Sequence, residues 1–327
     1  MTTDGPFPRP ARPGARPRAW RGSLLALALL ALSSAVPAQD TAPPSPESAA
    51  APRIAGLIRE PRLREISGIA ASRRHAGLLW VHNDSGYPAQ VHAIDTQGRH
   101  HATLDIDGVA ARDFEDIAAF ELDGVAYLLI ADTGDNGGRR SEVEVVVLAE
   151  PERLEDARVA PAWVQRLRWP DGPRDVEAVA VDTEAEQVLF ITKKRVPAEL
   201  LVAPLRARTG VIEARRVGSL SGIEQPSPAE LAGNPRFGRY RAQITGADLS
   251  ADGRMLAVLN YRRAYLYRRD IGEGWAQALA RPGQPLQFGW LAQAEAIAFD
   301  TSGRSLWISS ERLPAPLIEL PLPPPER

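Results

Sequence analysis

The chain has no cysteine among its 327 residues. That excludes disulfides, thiolate nucleophiles and cysteine-bound zinc. Histidine is scarce: His75, His82, His92, His100 and His101 are the full set, all in one early stretch. Long apolar runs are missing as well. Leu24 to Leu32 is too short to cross a bilayer comfortably. No Gly-x-Ser-x-Gly elbow occurs, since Gly218-Ser219-Leu220-Ser221-Gly222 has leucine at the nucleophile position. An excess of positive charge is lacking too. Residues 39–327 carry 34 Lys and Arg against 40 Asp and Glu, a net of −6. Nucleic acid and anionic membrane both require a basic surface, so neither is the expected partner.

What is present begins with an export signal. Arg9, Arg12, Arg16, Arg18 and Arg21 precede the Leu24–Leu32 stretch, and Val36-Pro37-Ala38 places small residues before Gln39 where a signal peptidase would cut. Residues 1–38 are therefore read as a signal peptide, with an uncleaved anchor as the alternative. The address is periplasmic or secreted, with no integral anchor after cleavage. Residues 39–52, made of Ala, Pro, Ser and Glu types, read as a disordered linker. The folded domain is expected over 53–322, followed by a tail at 323–327.

Hydrophobic content of 44% suffices for a core, and 29 Pro with 26 Gly suit many short strands better than long helices. The organising feature is a repeated phrase. Ser67-Gly68-Ile69-Ala70, Glu115-Asp116-Ile117-Ala118, Glu177-Ala178-Val179-Ala180, Thr245-Gly246-Ala247-Asp248 and Glu295-Ala296-Ile297-Ala298 each set a polar head before small and β-branched residues. After 16, 17, 15, 15 and 14 residues comes a polar cluster that ends a second apolar run. The clusters start at Asn83, Asp132, Thr192, Asn260 and Ser309. Heads recur at steps of 48, 62, 68 and 50 residues, the size of a four-stranded propeller blade. The expectation is an all-β chain forming a single β-propeller of five four-stranded blades, although a sixth could hide in the two long steps. Residues 53–58 are expected to close the ring by pairing with the last blade. Ile223 to Arg241 is expected to be a long loop.

The phase of the repeat predicts a site. The first strand of a blade lines the channel and the second runs back antiparallel, so heads and clusters should share one face. Ser67, Glu115, Glu177, Thr245 and Glu295 would then ring the channel mouth. Three carboxylates and two hydroxyls around one axis repel one another unless a cation or ligand enters or a glutamate is protonated. Calcium suits such hard oxygens best, with Asp132 as a further ligand. His82, Asn83, Asp84, Asp135, Asn136, Lys193, Asn260 and Arg262 would shape the ligand-binding rim. The glutamates could equally bind backbone amides and only hold the ring together. Asp132-Thr133-Gly134-Asp135-Asn136 is the most specific stretch, though without the terminal glutamate of an EF-hand, and it could be a self-capped turn. His82 could serve as a general base or be structural. Lys193 and Arg262 could clamp an anion or neutralise the acids.

Ile66-Ser67-Gly68-Ile69-Ala70 with Leu79-Trp80-Val81-His82-Asn83-Asp84-Ser85-Gly86, and Phe114-Glu115-Asp116-Ile117-Ala118 with Ile130-Ala131-Asp132-Thr133-Gly134-Asp135-Asn136, resemble exported bacterial propellers of the phytase-like (esterase-like) and SdiA-regulated groups. The resemblance implies calcium in the channel and, for some members, phosphoester hydrolysis. The lysine-rich, multi-aspartate phosphate site of true propeller phytases has no clear counterpart here. The leading expectation is a propeller binding a divalent cation and a small polar ligand or protein partner. The rivals are a metal-assisted hydrolase of esters or phosphoesters and a metal-free interaction scaffold.

Overall fold

The computed structural model describes residues 51–206 and 208–323. The proposed signal peptide, most of the linker and most of the tail lie outside them. The first strand, β1 (Arg53–Ile58), precedes five sheets. Blade one holds β2 (Ile66–Ala71), β3 (Leu78–Asn83), β4 (Gln90–Asp95) and β5 (His100–Ile106). Blade two holds β6 (Phe114–Leu122), β7 (Val125–Asp132) and β8 (Val143–Ala149), then, after the short β9 (Ala157–Val159), β10 (Trp163–Arg168). Blade three holds β11 (Val176–Asp182), β12 (Gln187–Thr192) and β13 (Glu199–Pro204), then, after β14 (Val211–Glu213), β15 (Arg215–Ser219). Blade four is β16 (Ile244–Leu249), β17 (Met255–Asn260), β18 (Ala264–Arg268) and β19 (Gln284–Leu286). Blade five is β20 (Ala294–Phe299), β21 (Ser305–Ser310) and β22 (Ala315–Pro321), completed by β1 on its outer edge.

The fold is thus an all-β, five-bladed propeller of four-stranded blades, closed by the N-terminal strand as expected. A sixth blade is absent among the described residues. The two long steps are instead filled by β9 and β14. Each leaves its own blade and adds a parallel edge to the preceding one, β9 on β5 and β14 on β10. The connection from Ile223 to Arg241 is not wholly irregular. It contains a short helix, Pro228–Gly233, whose Ser227 and Glu230 form a reciprocal capping box.

Each of the five apolar cores lies between two successive blades. One, for example, joins Ala118, Leu129 and Val145 of blade two to Val179, Phe190 and Leu201 of blade three. A blade therefore has no core of its own and depends on its neighbours, the expected behaviour of a repeat unit. The inner strands β2, β11, β16 and β20 are buried at every position, and β6 is nearly so. Their small residues follow from convergence on one axis. A Cβ on Gly68 would stand 2.9 Å from the Ile117 nitrogen, and one on Gly246 would stand 3.0 Å from the Glu295 carbonyl. The seam between blades five and one is as tight. Gly56 and Gly98 let β1 press against the Asp95–Gly98 turn, where the Leu57 amide donates to the Gln97 carbonyl at 3.3 Å.

Candidate functional site at the channel mouth

Every inner strand breaks register at the same place. The antiparallel pairing skips Ser67, Glu115, Glu177, Thr245 and Glu295, so each polar head is the extra residue of a β-bulge. A bulge bends its strand and re-aims a side chain. The fold repeats this device five times at one face. Two of the heads serve the ring itself. The Ser67 hydroxyl donates to the Glu115 carbonyl at 2.9 Å, and the Thr245 hydroxyl to the Ala294 carbonyl at 2.7 Å. Both bonds stitch one blade to the next.

The three glutamates stand differently. The carboxylate oxygens of Glu115 come together with those of Asp84 and Asp113 in one group, and with those of Asp175 and Glu177 in another, each group within 4.8 Å. Glu115 belongs to both. Glu295 accepts the Tyr261 hydroxyl at 2.9 Å. Lys193 contacts Glu177 directly, and Lys194 lies 2.7 Å from Asp175. Even so, Glu115 Oε1 and Glu177 Oε2 are buried and have no hydrogen-bond donor. The Gly134 backbone closes over this cluster, and a Cβ there would collide with the Glu115 and Asp113 carboxylates. Gly134 is needed for that close approach, not for a left-handed turn.

Electrostatics record the crowding. Burial, then the neighbouring Glu177 and Asp84, holds the Glu115 carboxyl well above the usual range. Asp113 is pushed up to about 6 by burial and by Asp84 and Asp175. Glu295 rises to about 7 because burial outweighs Lys193 and Tyr261. Burial works against charge on Lys193, but Glu177, Tyr261, Glu295 and Glu115 together outweigh it and raise the ammonium's pKa.

Asp113 and Asp175 were not among the sequence expectations. Their signal is a doublet, Arg112-Asp113-Phe114-Glu115 and Arg174-Asp175-Val176-Glu177, that places an acid two residues before the head. Asp132, expected as a metal ligand, does other work. Its oxygens accept the Arg112 and Asp113 amides at 2.9 and 3.2 Å and pair with Arg140 at 2.7 Å, so it fixes the turn that presents Asp113. Asp135 is likewise a turn former, accepting the Arg139 and Arg140 amides while its own amide donates to Asp175 at 2.7 Å. His82 is closed off from solvent, and its Nε2 has no partner. The ring stands edge-on to Phe114, with Nδ1 on the Asn83 carbonyl. The Asn83 side chain secures the Glu65 amide and the Arg62 carbonyl. Asn260 caps its own turn through the Arg262 and Arg263 amides.

Beside the carboxylates lies a cavity of about 930 Å³, a volume in the small-ligand range. Lys193 belongs to both, meeting Glu177 on one side and lining the cavity on the other. Asn136, which accepts two bonds from Lys194, and Arg262 also line it. The structure thus joins Glu115, Glu177, Asp84, Lys193, Asn136 and Arg262 into one neighbourhood. It leaves Ser67, Thr245, His82, Asn83, Asp132, Asp135 and Asn260 to structural tasks.

No family model matches the chain, and no curated protein does. Among solved structures, it is similar to a gluconolactonase from Xanthomonas campestris at 18% identity, over 79% of this chain and 72% of that one, with a TM-score of 0.40. U3-55K matches at 15% identity over 79% and 68%, TM-score 0.38. The WD40 repeats of RRP9 match at 14% over 79% and 67%, also 0.38. Likenesses this weak say nothing of function, and the propeller assignment stands on the five sheets themselves.

Proposed function

We propose that the channel mouth binds a divalent cation, calcium foremost, at the carboxylates around Glu115, and holds a small anionic ligand in the adjoining cavity. The observation that carries this is the pair of buried carboxylate oxygens, Glu115 Oε1 and Glu177 Oε2, that meet no donor inside a cluster of further acids. An unpaired buried anionic oxygen costs several kcal/mol, and a hard cation offsets that cost. The donor set is all oxygen, which suits calcium, magnesium or manganese and not thiolate- or imidazole-seeking metals. Asp84, Asp113, Glu115, Asp175 and Glu177 would hold it. A bound cation would supply positive charge able to polarise a carbonyl or phosphoryl oxygen. Lys193 and Arg262 would orient the anion.

A second reading, metal-assisted hydrolysis of phosphoesters or esters, is favoured by one detail. Glu115 is shared between two three-carboxylate groups, so the mouth offers oxygens that could hold a second cation beside the first. The likeness of the repeat motifs to phytase-like and SdiA-regulated propellers is in keeping with either reading. The export signal read in the sequence would place the activity in the periplasm or outside the cell.

Thermal unfolding after exhaustive chelation, with calcium, magnesium or manganese then restored, tests the proposal. Binding to the native state alone stabilises it by about 2.7 kcal/mol at a hundredfold excess over Kd, and so raises the midpoint with cation concentration. Glu115→Gln should remove that rise while the chelated protein keeps its fold by circular dichroism. No rise with any of the three cations would sink the proposal.

A further inference from the structure

Two exposed aromatics mark the cavity. Among the described Trp, Tyr and Phe side chains, only Phe237 (54% exposed) and Trp290 (81%) are largely open to solvent. Both line the same cavity. They arrive on different connections, Phe237 between blades three and four, Trp290 between blades four and five. The guanidinium of Arg236 stacks on Phe237 at 4.8 Å. Exposed apolar surface gathered in one place and rimmed by polar residues is a mark of a binding groove.

The charge of the same wall is of one sign. No Asp or Glu lines the cavity, whereas Lys193, Arg241, Arg262 and Arg263 do. Arg241 and Arg262 share the single Glu230 carboxylate, at 3.7 and 3.0 Å, which leaves positive charge over. A ligand that satisfies both features carries an anionic head and a flat π-face. Guanidinium groups bind phosphate or carboxylate through paired N–H donors, and indole and phenyl rings stack on planar rings.

We infer that the cavity selects anions bearing a planar aromatic ring, with the head group toward Lys193 and Arg262 and the ring against Trp290 and Phe237. This rests on the anion-holding half of the function proposed above and names the ligand class of that site.

Isothermal calorimetry on the full chain with saturating calcium tests it with matched probes. Phenyl phosphate is compared with cyclohexyl phosphate, and benzoate with cyclohexanecarboxylate. Each pair keeps charge and bulk and differs in the π-face, while the two pairs distinguish a phosphoryl from a carboxylate head. The aromatic member of at least one pair should bind about fivefold tighter. Trp290→Ala, at an exposed position that spares the fold, should weaken the aromatic probe more than the cyclohexyl probe and so bring the ratio toward one. Arg262→Ala should weaken both members of the pair alike. Equal affinities within both pairs, or no binding of any probe while calcium still raises the melting point, would overturn the inference and leave the cation reading standing. A surviving aromatic preference without any calcium response would support the inference and remove the cation reading alone.

Discussion

Glu115 and Asp116 are neighbours in the chain, yet their carboxylates lead opposite lives. Asp116, inside the channel, accepts the amides of Ile117, Val179 and Ala247 at 2.9, 2.8 and 3.1 Å, which belong to blades two, three and four. Burial pushes its carboxyl upward, and the three donors pull against that. Glu115, one residue nearer the mouth, has an oxygen with no donor and acids on two sides. The difference lies in the bulge. Asp116 keeps the regular register of β6 and faces its neighbours' amides, while Glu115 is the skipped residue and swings into the crowd of heads. A propeller channel can therefore carry two acidic layers. One is a strut held by backbone amides, and the other keeps oxygens that meet no donor.

That contrast can be broken from either side, beginning with the strut. Asp116→Ala strands three buried amides from three blades, and urea unfolding should show a loss of at least about 3 kcal/mol. The hydroxyl-headed side of the ring has a buried group of its own. His92 sits in blade one with Nδ1 on the Thr103 hydroxyl at 3.1 Å and Nε2 unpartnered, and burial lowers its pKa from 6.5 to about 4. The unfolded chain binds the extra proton between those values, so this contribution is complete above pH 6.5 and is lost as pH falls toward 4. It amounts to about 3 kcal/mol. The difference in unfolding free energy between wild type and His92→Phe, followed across that window, isolates it, and a flat difference would refute it.

At the mouth, Gly134→Ala inserts a methyl group where the Glu115 and Asp113 carboxylates stand. Every acid survives, yet about 2.7 kcal/mol of cation-dependent stabilisation at a hundredfold excess over Kd should vanish from the melting curve. The smallest effect belongs to the stitching heads. Thr245→Val removes one interblade hydrogen bond and should cost about 1 kcal/mol while leaving the calcium response intact. If Thr245→Val abolished that response, the division between stitching heads and ligand-facing heads would fail.

The blade pattern was legible because it is written in period and composition. Head, small residues, second apolar run and polar cluster fall where the strands fall, and the pairing of 53–58 with the last blade followed from ring closure. Three-residue strands such as β9 and β14 carry too little pattern to be read, so their segments looked like surplus length. In the site, Glu115 and Glu177 were visible as heads, but Asp113 and Asp175 lie before them, outside the window counted forward from each head. The turn contacts of Asp132 and the burial of His82 were hidden for another reason. A polar residue at a strand end points to the ligand or to the adjacent turn according to local hydrogen bonds, which strand spacing does not encode.

Strand β1 closes the ring by pairing Arg53 with Glu319 and Ile58 with Ala315. The first strand of the propeller to be synthesised thus waits for the last. Loop closure on that scale is the slowest kind of contact to form, because its entropic cost comes before any return. The acids gathered around Glu115 come from blades one, two and three, so their mutual repulsion opposes the docking of those blades before the circle shuts. A cation present while those three blades dock would relieve it. The same ion would then act as a clasp on the finished ring, slowing its reopening wherever the surroundings supply it.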